Sequence, residues 1–451
     1  MAVLAVMTSC LSDDRTEVTY YDDAAITSFS LGTLNRTMHK VTSSGKDSTY
    51  NTTVYCGSYT FSIDQEKGLI FNVDSLPSGT VTSKSLVTIK AMNSGYIFLK
   101  SLTSDSLSVY TSANDSLDFS KPREIHCYSN DGKTIKKYTV DVRVHKEEAD
   151  KFYWTAYNAN DMIAKLEDLR AVTYQNCIVV YGNVGGVAKA YMADIHNGNS
   201  WTEYPLPSQS PVSMAVNDKN IFVLAGGTVY SSVVSSDPTY SEVSAGTGLK
   251  TLIGASHSEV YALSGDGKLM TSVDGGMTWT EDQTVDDLSY LPAQDINGLS
   301  CRVKTNSDIE KFVLIGNRGV AADGKCVVWS KVVDNSDASR TESWMYHSSL
   351  SSGYRPAPSL EHLSATTYND GILMIGGKGI GTCTEKAFSK MYFSRDNGMN
   401  WWTDSRFTLP SSFSSSETSF ALVSDSDNYL WLIAGSTGQV WRGHLAQLVW
   451  E

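Results

Sequence analysis

No apolar run in this 451-residue chain reaches the roughly 18–20 residues that cross a bilayer as a helix. The sequence has no C-x-x-C pair and no Cys/His cluster at zinc spacing, so thioredoxin-like and zinc-finger readings fail. It has no G-x-x-x-x-G-K-[ST], no nucleophile elbow and no H-E-x-x-H, which leaves P-loop, α/β-hydrolase and zincin chemistry without an anchor. Gly376-Gly377-Lys378-Gly379 reads as a strand-end turn, because no helix pattern follows it. Positive charge is also short. Thirty-six Lys and Arg stand against 49 Asp and Glu, and a net charge of −13 repels nucleic-acid phosphates.

Aromatic residues are plentiful. The 24 Tyr and 10 Trp suit packed sheets and sugar-binding faces equally. A hydrophobic content of 41% is ordinary for a globular protein, and 451 residues predict two domains.

One stretch organises the chain. Ser272-Val273-Asp274-Gly275-Gly276-Met277-Thr278-Trp279 reads as an Asp-box, S-x-D-x-G-x-T-W, and returns as Ser394-Arg395-Asp396-Asn397-Gly398-Met399-Asn400-Trp401. The carboxylate accepts backbone N–H groups of its own turn, the glycine supplies a positive φ, and the Trp buries its ring beneath. Around these boxes a unit repeats through residues 148–451: a strand, a strand ending in Gly-Gly or Gly-Asn, a third strand, a box-like turn, then Trp-Thr or a relative. The count is six blades of a β-propeller, or seven if the stretch from Glu281 to Trp344 hides a degenerate one. Phe152-Tyr153-Trp154-Thr155-Ala156-Tyr157 has no box of its own. The economical reading makes it the outer strand of the last unit, closing the ring; Leu445 to Trp450 competes for that place.

Residues 24–147 show short alternating strands instead. The clearest hairpin runs from Glu124 to Ser129, turns at Asn130-Asp131-Gly132-Lys133 and returns from Lys137 to Val144. An immunoglobulin-like β-sandwich is expected, so the whole chain is all-β. His145 to Lys151 is a charged junction. Residues 1–23 are read as a lipoprotein signal remnant and tether. An apolar run ends in small residues at Cys10, the expected lipidated residue, and Ser12-Asp13-Asp14 follows in the manner of a surface-export signal. The other cysteines are Cys56, Cys127, Cys177, Cys301, Cys326 and Cys383. They are read as buried free thiols, with a Cys56–Cys127 disulfide as the alternative.

Lipobox, sandwich and box-bearing ring, together with the ending Gly438-Gln439-Val440-Trp441-Arg442-Gly443, resemble an uncharacterised family of Bacteroidetes surface lipoproteins. In that family an immunoglobulin-like domain precedes a sialidase- or kelch-like propeller. The resemblance implies an outer-membrane location, with Cys10 as the anchor point, and it brings no catalytic residue.

Asp-boxes also occur in sialidases, which need an arginine cluster and a Tyr/Glu nucleophile pair. The nearest match to the sialidase F/Y-R-I-P is Tyr354-Arg355-Pro356, which follows the first full box and lacks the Ile. Catalytic residues, metal and cofactors are therefore not expected. Asp334 to Asp337 and Asp425 to Asn428 resemble calcium loops only faintly and read as ordinary turns. Long loops on a rigid scaffold carry function, so the expected binding mouth combines Tyr346, Tyr354, Arg355, Glu361 and His362 with Glu385 and Lys386. The reading is a monomeric, surface-anchored binding or adhesion protein for a glycan or a protein partner. A sialidase-like hydrolase is the alternative.

Overall fold

The computed structural model describes residues 19–41, 47–111, 116–303, 305–318, 323–347 and 354–446. Cys10 and Ser12 to Asp14 lie outside them. The chain divides into two compact units between Ala149 and Asp150.

In the first unit a six-stranded sheet and a three-stranded sheet share one core. Ile125 and Cys127 (strand Arg123–Tyr128), Tyr138 and Val140 (Ile135–Asp141) and Ile97 (Tyr96–Lys100) meet Phe29 (Ile26–Leu31) and Ile89 (Ser85–Ala91). The alternation read from the sequence explains this, because every second residue points inward. Asp131 and Gly132 make the expected hairpin turn: Asp131 Oδ1 accepts from Ser129 Oγ at 2.5 Å and from the Lys133 N–H at 3.0 Å. The two hairpin strands pair Ile125 with Tyr138. Strand Ile135–Asp141 also pairs in parallel with Leu69–Asn72. A ribbon of Thr33–Val41 against Asp47–Tyr55 stands as its own two-stranded sheet. Cys56 and Cys127 are buried free thiols.

The second unit contains six four-stranded antiparallel sheets among its described residues. Their first strands are Glu167–Tyr174, Val212–Val216, Leu249–Ala255, Gln294–Arg302, Ser364–Tyr368 and Phe420–Ser424. These strands lie beside one another in a closed cycle, the first next to both the second and the sixth. Between Glu281, which ends the outer strand of the third sheet, and Trp344, the described strands are the first three of the fourth sheet, Gln294–Arg302, Ile309–Asn317 and Val327–Asp334. The sixth sheet takes its outer strand from the beginning of the unit: Phe152–Ala156 pairs antiparallel with Val440–Leu445, Phe152 opposite Leu445. Pairing the two ends of the unit covers an edge that would otherwise template aggregation.

Neighbouring first strands do not form a ladder with one another, so their edge N–H groups need other acceptors. Side chains from the preceding sheet supply them. Leu252 N–H donates to Ser213 Oγ at 2.9 Å, Ala365 N–H to Asn297 Oδ1 at 3.0 Å and Ser424 N–H to Thr366 Oγ1 at 3.0 Å. Between sheets three and four the backbones touch directly. A Cβ on Gly298 would stand 2.0 Å from the Ile253 carbonyl oxygen, so only glycine fits.

Candidate functional site: a polar cavity on the turn face

The two full repeats fold alike. Ser272 Oγ donates to Asp274 Oδ1 at 2.8 Å and accepts the Gly276 N–H at 2.8 Å; Asp274 Oδ1 accepts the Thr278 N–H at 2.9 Å. Trp279 Nε1 then donates to the Gly276 carbonyl at 3.1 Å. In the second repeat Ser394 Oγ donates to Asp396 Oδ1 at 2.9 Å, Asn400 N–H donates to the same oxygen at 2.8 Å, and Trp401 Nε1 donates to the Gly398 carbonyl at 2.8 Å. Trp201 repeats the last bond to Gly198 at 2.9 Å, with Asp194 standing where the serines stand. Donors from Thr278 and Ser272 hold the Asp274 carboxyl down at about 2.

These turns dock on the preceding sheet. Ser244 Oγ donates to the Gly276 carbonyl at 2.7 Å, and a Cβ on Gly398 would meet Val328 Cγ1 at 2.9 Å. Trp279 packs with Phe222 and Val243, Trp401 with Val313 and Val328. Ser272, Asp274, Gly276 and Trp279, like Ser394, Asp396, Gly398 and Trp401, thus hold adjacent sheets together.

The residues expected to form a binding mouth are not gathered into one place. Glu361 and Lys378 exchange a backbone bond of 2.9 Å and an ion pair of 3.4 Å, and Glu385 accepts the Gly379 N–H at 2.9 Å. Exposed His362, at φ +52°, adjoins Glu361, while Lys386 caps its own turn through Ser389 Oγ at 2.8 Å. Tyr354 and Arg355 lie elsewhere, beside the second box: Arg355 N–H donates to Asn400 Oδ1 at 2.9 Å and its carbonyl accepts the Trp401 N–H at 2.9 Å. Tyr354 is half-buried and donates to the His347 carbonyl at 3.3 Å. Tyr346 stacks on Tyr290, their ring centroids 4.8 Å apart and their planes 11° apart.

A cavity of about 280 Å³ opens on the face of the ring where first strands turn into second strands. Antiparallel order puts the box turns on this same face. Four first-strand ends frame it, at Thr173 and Tyr174, at Val216, at Ala255, and at Ser300 and Arg302. The turns that follow contribute Gln175, Asn217, Asp218, Ser256 and His257. Thr173 bridges to the sixth sheet, its Oγ1 donating to the Ser424 carbonyl at 2.7 Å.

Glu310, 4% exposed, reaches the cavity from the second strand of sheet four. It accepts Ser300 Oγ at 2.7 Å, the His257 N–H at 3.2 Å and Asn335 Nδ2 at 3.2 Å. Burial of a carboxylate is costly without such donors. Asp218 Oδ2 stands 3.0 Å from His257 Nδ1, and Lys219 Nζ stands 3.3 Å from His257 Nε2. Arg302 is directly across the strand pair from Glu310, yet it is exposed and forms no ion pair among the described residues. None of the seven residues expected from the loops lines this cavity.

A second charged group lies nearby, buried between sheets three and four. Lys331 Nζ is 2.8 Å from Glu259 Oε2 and 2.7 Å from Asp282 Oδ2; Tyr261 OH and Trp344 Nε1 complete the two carboxylates. Asp425 and Asp427 are occupied by Arg442 at 2.7 and 3.0 Å, and no cluster of metal-binding side chains occurs among the described residues.

Solved structures of similar shape include a structural genomics protein of unknown function from Bacteroides thetaiotaomicron VPI-5482. It is 9% identical, with 80% of this chain and 94% of that chain covered and a TM-score of 0.42. Another is a calcium structure of a Trichoderma reesei carbohydrate-active enzyme of family AA12, at 9% identity, 66% and 96% coverage and a TM-score of 0.39. At these values the likeness carries nothing about ligand or activity. No curated protein matches the sequence. Two family profiles do: one described as the DUF6242 N-terminal domain, a domain of unknown function, over residues 29–142, and one described as the DUF6242 β-propeller domain over residues 148–451. The chain therefore belongs to the DUF6242 family, and its ring of sheets is that family's β-propeller.

Proposed function

We propose that this protein is a surface-anchored recognition lipoprotein. Cys10 carries the lipid, the N-terminal immunoglobulin-like sandwich is a spacer, and a six-bladed Asp-box propeller presents the binding face to a glycan or protein partner in the outer membrane's surroundings. The observation that carries the binding part is the cavity on the turn face, which polar and apolar groups from four sheets line together. Concave sites with a few convergent polar groups on a rigid scaffold are what ligands use.

The hydrolase alternative draws less support. A sialidase-like site needs several arginines around one carboxylate. Among the described residues Arg302 is the one arginine at the cavity, whereas Arg442 pairs with Asp425, Arg406 with Asp404 and Asp150, and Arg340 with Asp337. A glycosidase also needs one carboxyl free to give a proton. Both carboxylates at the cavity are instead held by hydrogen-bond partners: Glu310 by three donors, Asp218 by the His257 ring. The anchoring part is tested by metabolic acyl labelling in the native host and by Cys10→Ala. Acylation that depends on Cys10, with protease accessibility on intact cells, is expected. Unlabelled protein that fractionates with the cytosol contradicts it.

A further inference from the structure

We infer that the cavity on the turn face is a subsite for one neutral pyranose-sized sugar unit, an assignment that rests on reading the propeller as a recognition module. Size is the first argument. About 280 Å³ lies just under the roughly 300–1,000 Å³ of pockets that take drug-sized ligands, which leaves room for a single sugar ring and not for a folded chain.

The lining is the second. A sugar ring offers an apolar C–H face and a rim of hydroxyls, each both donor and acceptor. Tyr174, Val216, Val234 and Ala255 give the cavity apolar surface. Opposite needs are met by planar polar groups, which can engage neighbouring hydroxyls two at a time. Two of these are unengaged. The Gln175 amide and the Arg302 guanidinium are exposed and make no side-chain hydrogen bond or ion pair among the described residues. Asp218 uses Oδ2 toward His257, leaving Oδ1 as an acceptor.

Charge is the third. The cavity holds two carboxylates, Asp218 and Glu310, against one lining guanidinium, Arg302. That balance disfavours an anionic ligand, as does the net charge of −13. Hydroxyl donors satisfy the carboxylates, and Gln175 and Arg302 donate in return. The backbone presets the site: Gln175 sits at φ +47° in a two-residue turn, and Asn217 holds the Ser256-His257 turn by donating to the Ser256 carbonyl at 3.2 Å.

The test uses the full chain on an array of neutral, acidic and amino-sugar glycans, followed by calorimetry with the terminal monosaccharide of the strongest neutral hit. Saturable binding to a neutral glycan is expected, weakened at least tenfold by Gln175→Ala and by Arg302→Ala at unchanged Tm. Arg355→Ala and Lys386→Ala on the long loops leave it unchanged. Because Gln175 and Arg302 are exposed and unengaged, their loss leaves the fold intact. A silent array, a preference for acidic sugars, or full affinity in both cavity variants overturns the assignment. Affinity that survives the cavity variants but falls with Arg355→Ala moves the site while keeping the recognition reading. Cleavage of the bound glycan removes the recognition reading itself.

Discussion

Trp401 donates its indole N–H to the carbonyl of Gly398, three residues earlier, at 2.8 Å, and Trp279 does the same to Gly276 at 3.1 Å. The glycine is needed twice over, for the turn and for the contact beyond it. Gly398 has φ +89°, and a Cβ there would stand 2.9 Å from Val328 Cγ1 in the preceding sheet. Gly398→Ala is expected to cost about 1–3 kcal/mol, more than the strain of the left-handed region alone. Gly275→Ala, at φ +76° with open space around it, isolates that strain at about 1–2 kcal/mol. Chemical denaturation of both variants checks the difference.

The same turn makes an acid-sensitive contact. The Asp274 carboxyl is lowered from 3.8 to about 2 by donors from Thr278 and Ser272. A carboxyl depressed on folding contributes stability that is present above its unfolded pKa and lost as pH falls through the folded value. The expected window is therefore roughly pH 4 down to 2. Asp274→Asn should flatten the pH dependence of Tm in that window and leave it unchanged above pH 5.

His347 gives the opposite kind of group. Burial, and then the Lys311 charge, lower it from 6.5 to about 4, with Ser330 Oγ 2.7 Å from its Nε2. The unfolded chain takes up this proton first as pH falls. Stability should drop between about pH 6.5 and 4, by on the order of 1–2 kcal/mol once solvent screening of the part-exposed ring is allowed for. His347→Gln removes that slope if the group is responsible. A pH profile of Tm, wild type against variant, decides.

Removing Lys331 should be costly. It is 4% exposed and faces Glu259 and Asp282, themselves 9% and 10% exposed. Lys331→Met leaves two buried carboxylates without their cation, an expected loss of about 3–5 kcal/mol. Adding Glu259→Gln and Asp282→Asn should recover much of it, which separates stranded charge from lost packing. Urea midpoints measure both.

The parts legible in the sequence are those whose bonds are local. Ser272 to Trp279 closes its hydrogen bonds within eight residues, and Asp131-Gly132 turns its own hairpin. The place of Phe152 to Ala156 could be read because the repeat lacked one strand at its end and had one spare at its beginning. The Thr33–Val41 ribbon escaped because its Thr, Asn and Arg residues give no apolar alternation. The cavity escaped for a different reason. Gln175, Asp218 and His257 are single polar residues in short turns of three sheets, Arg302 ends the first strand of a fourth, and only ring closure brings them together. Long loops drew the expectation to Tyr354 and Glu385 instead. Counting which residue ends each first strand is the signal that could have found the site.

The propeller is proposed to recognise its ligand without turning it over. One glycan array of the full chain, read for bound protein and for released sugar, tests it most directly. Saturable binding with every glycan recovered intact is expected. Release of sugar from the bound glycan would contradict it and make the carboxylates of Asp218 and Glu310 the first to be replaced.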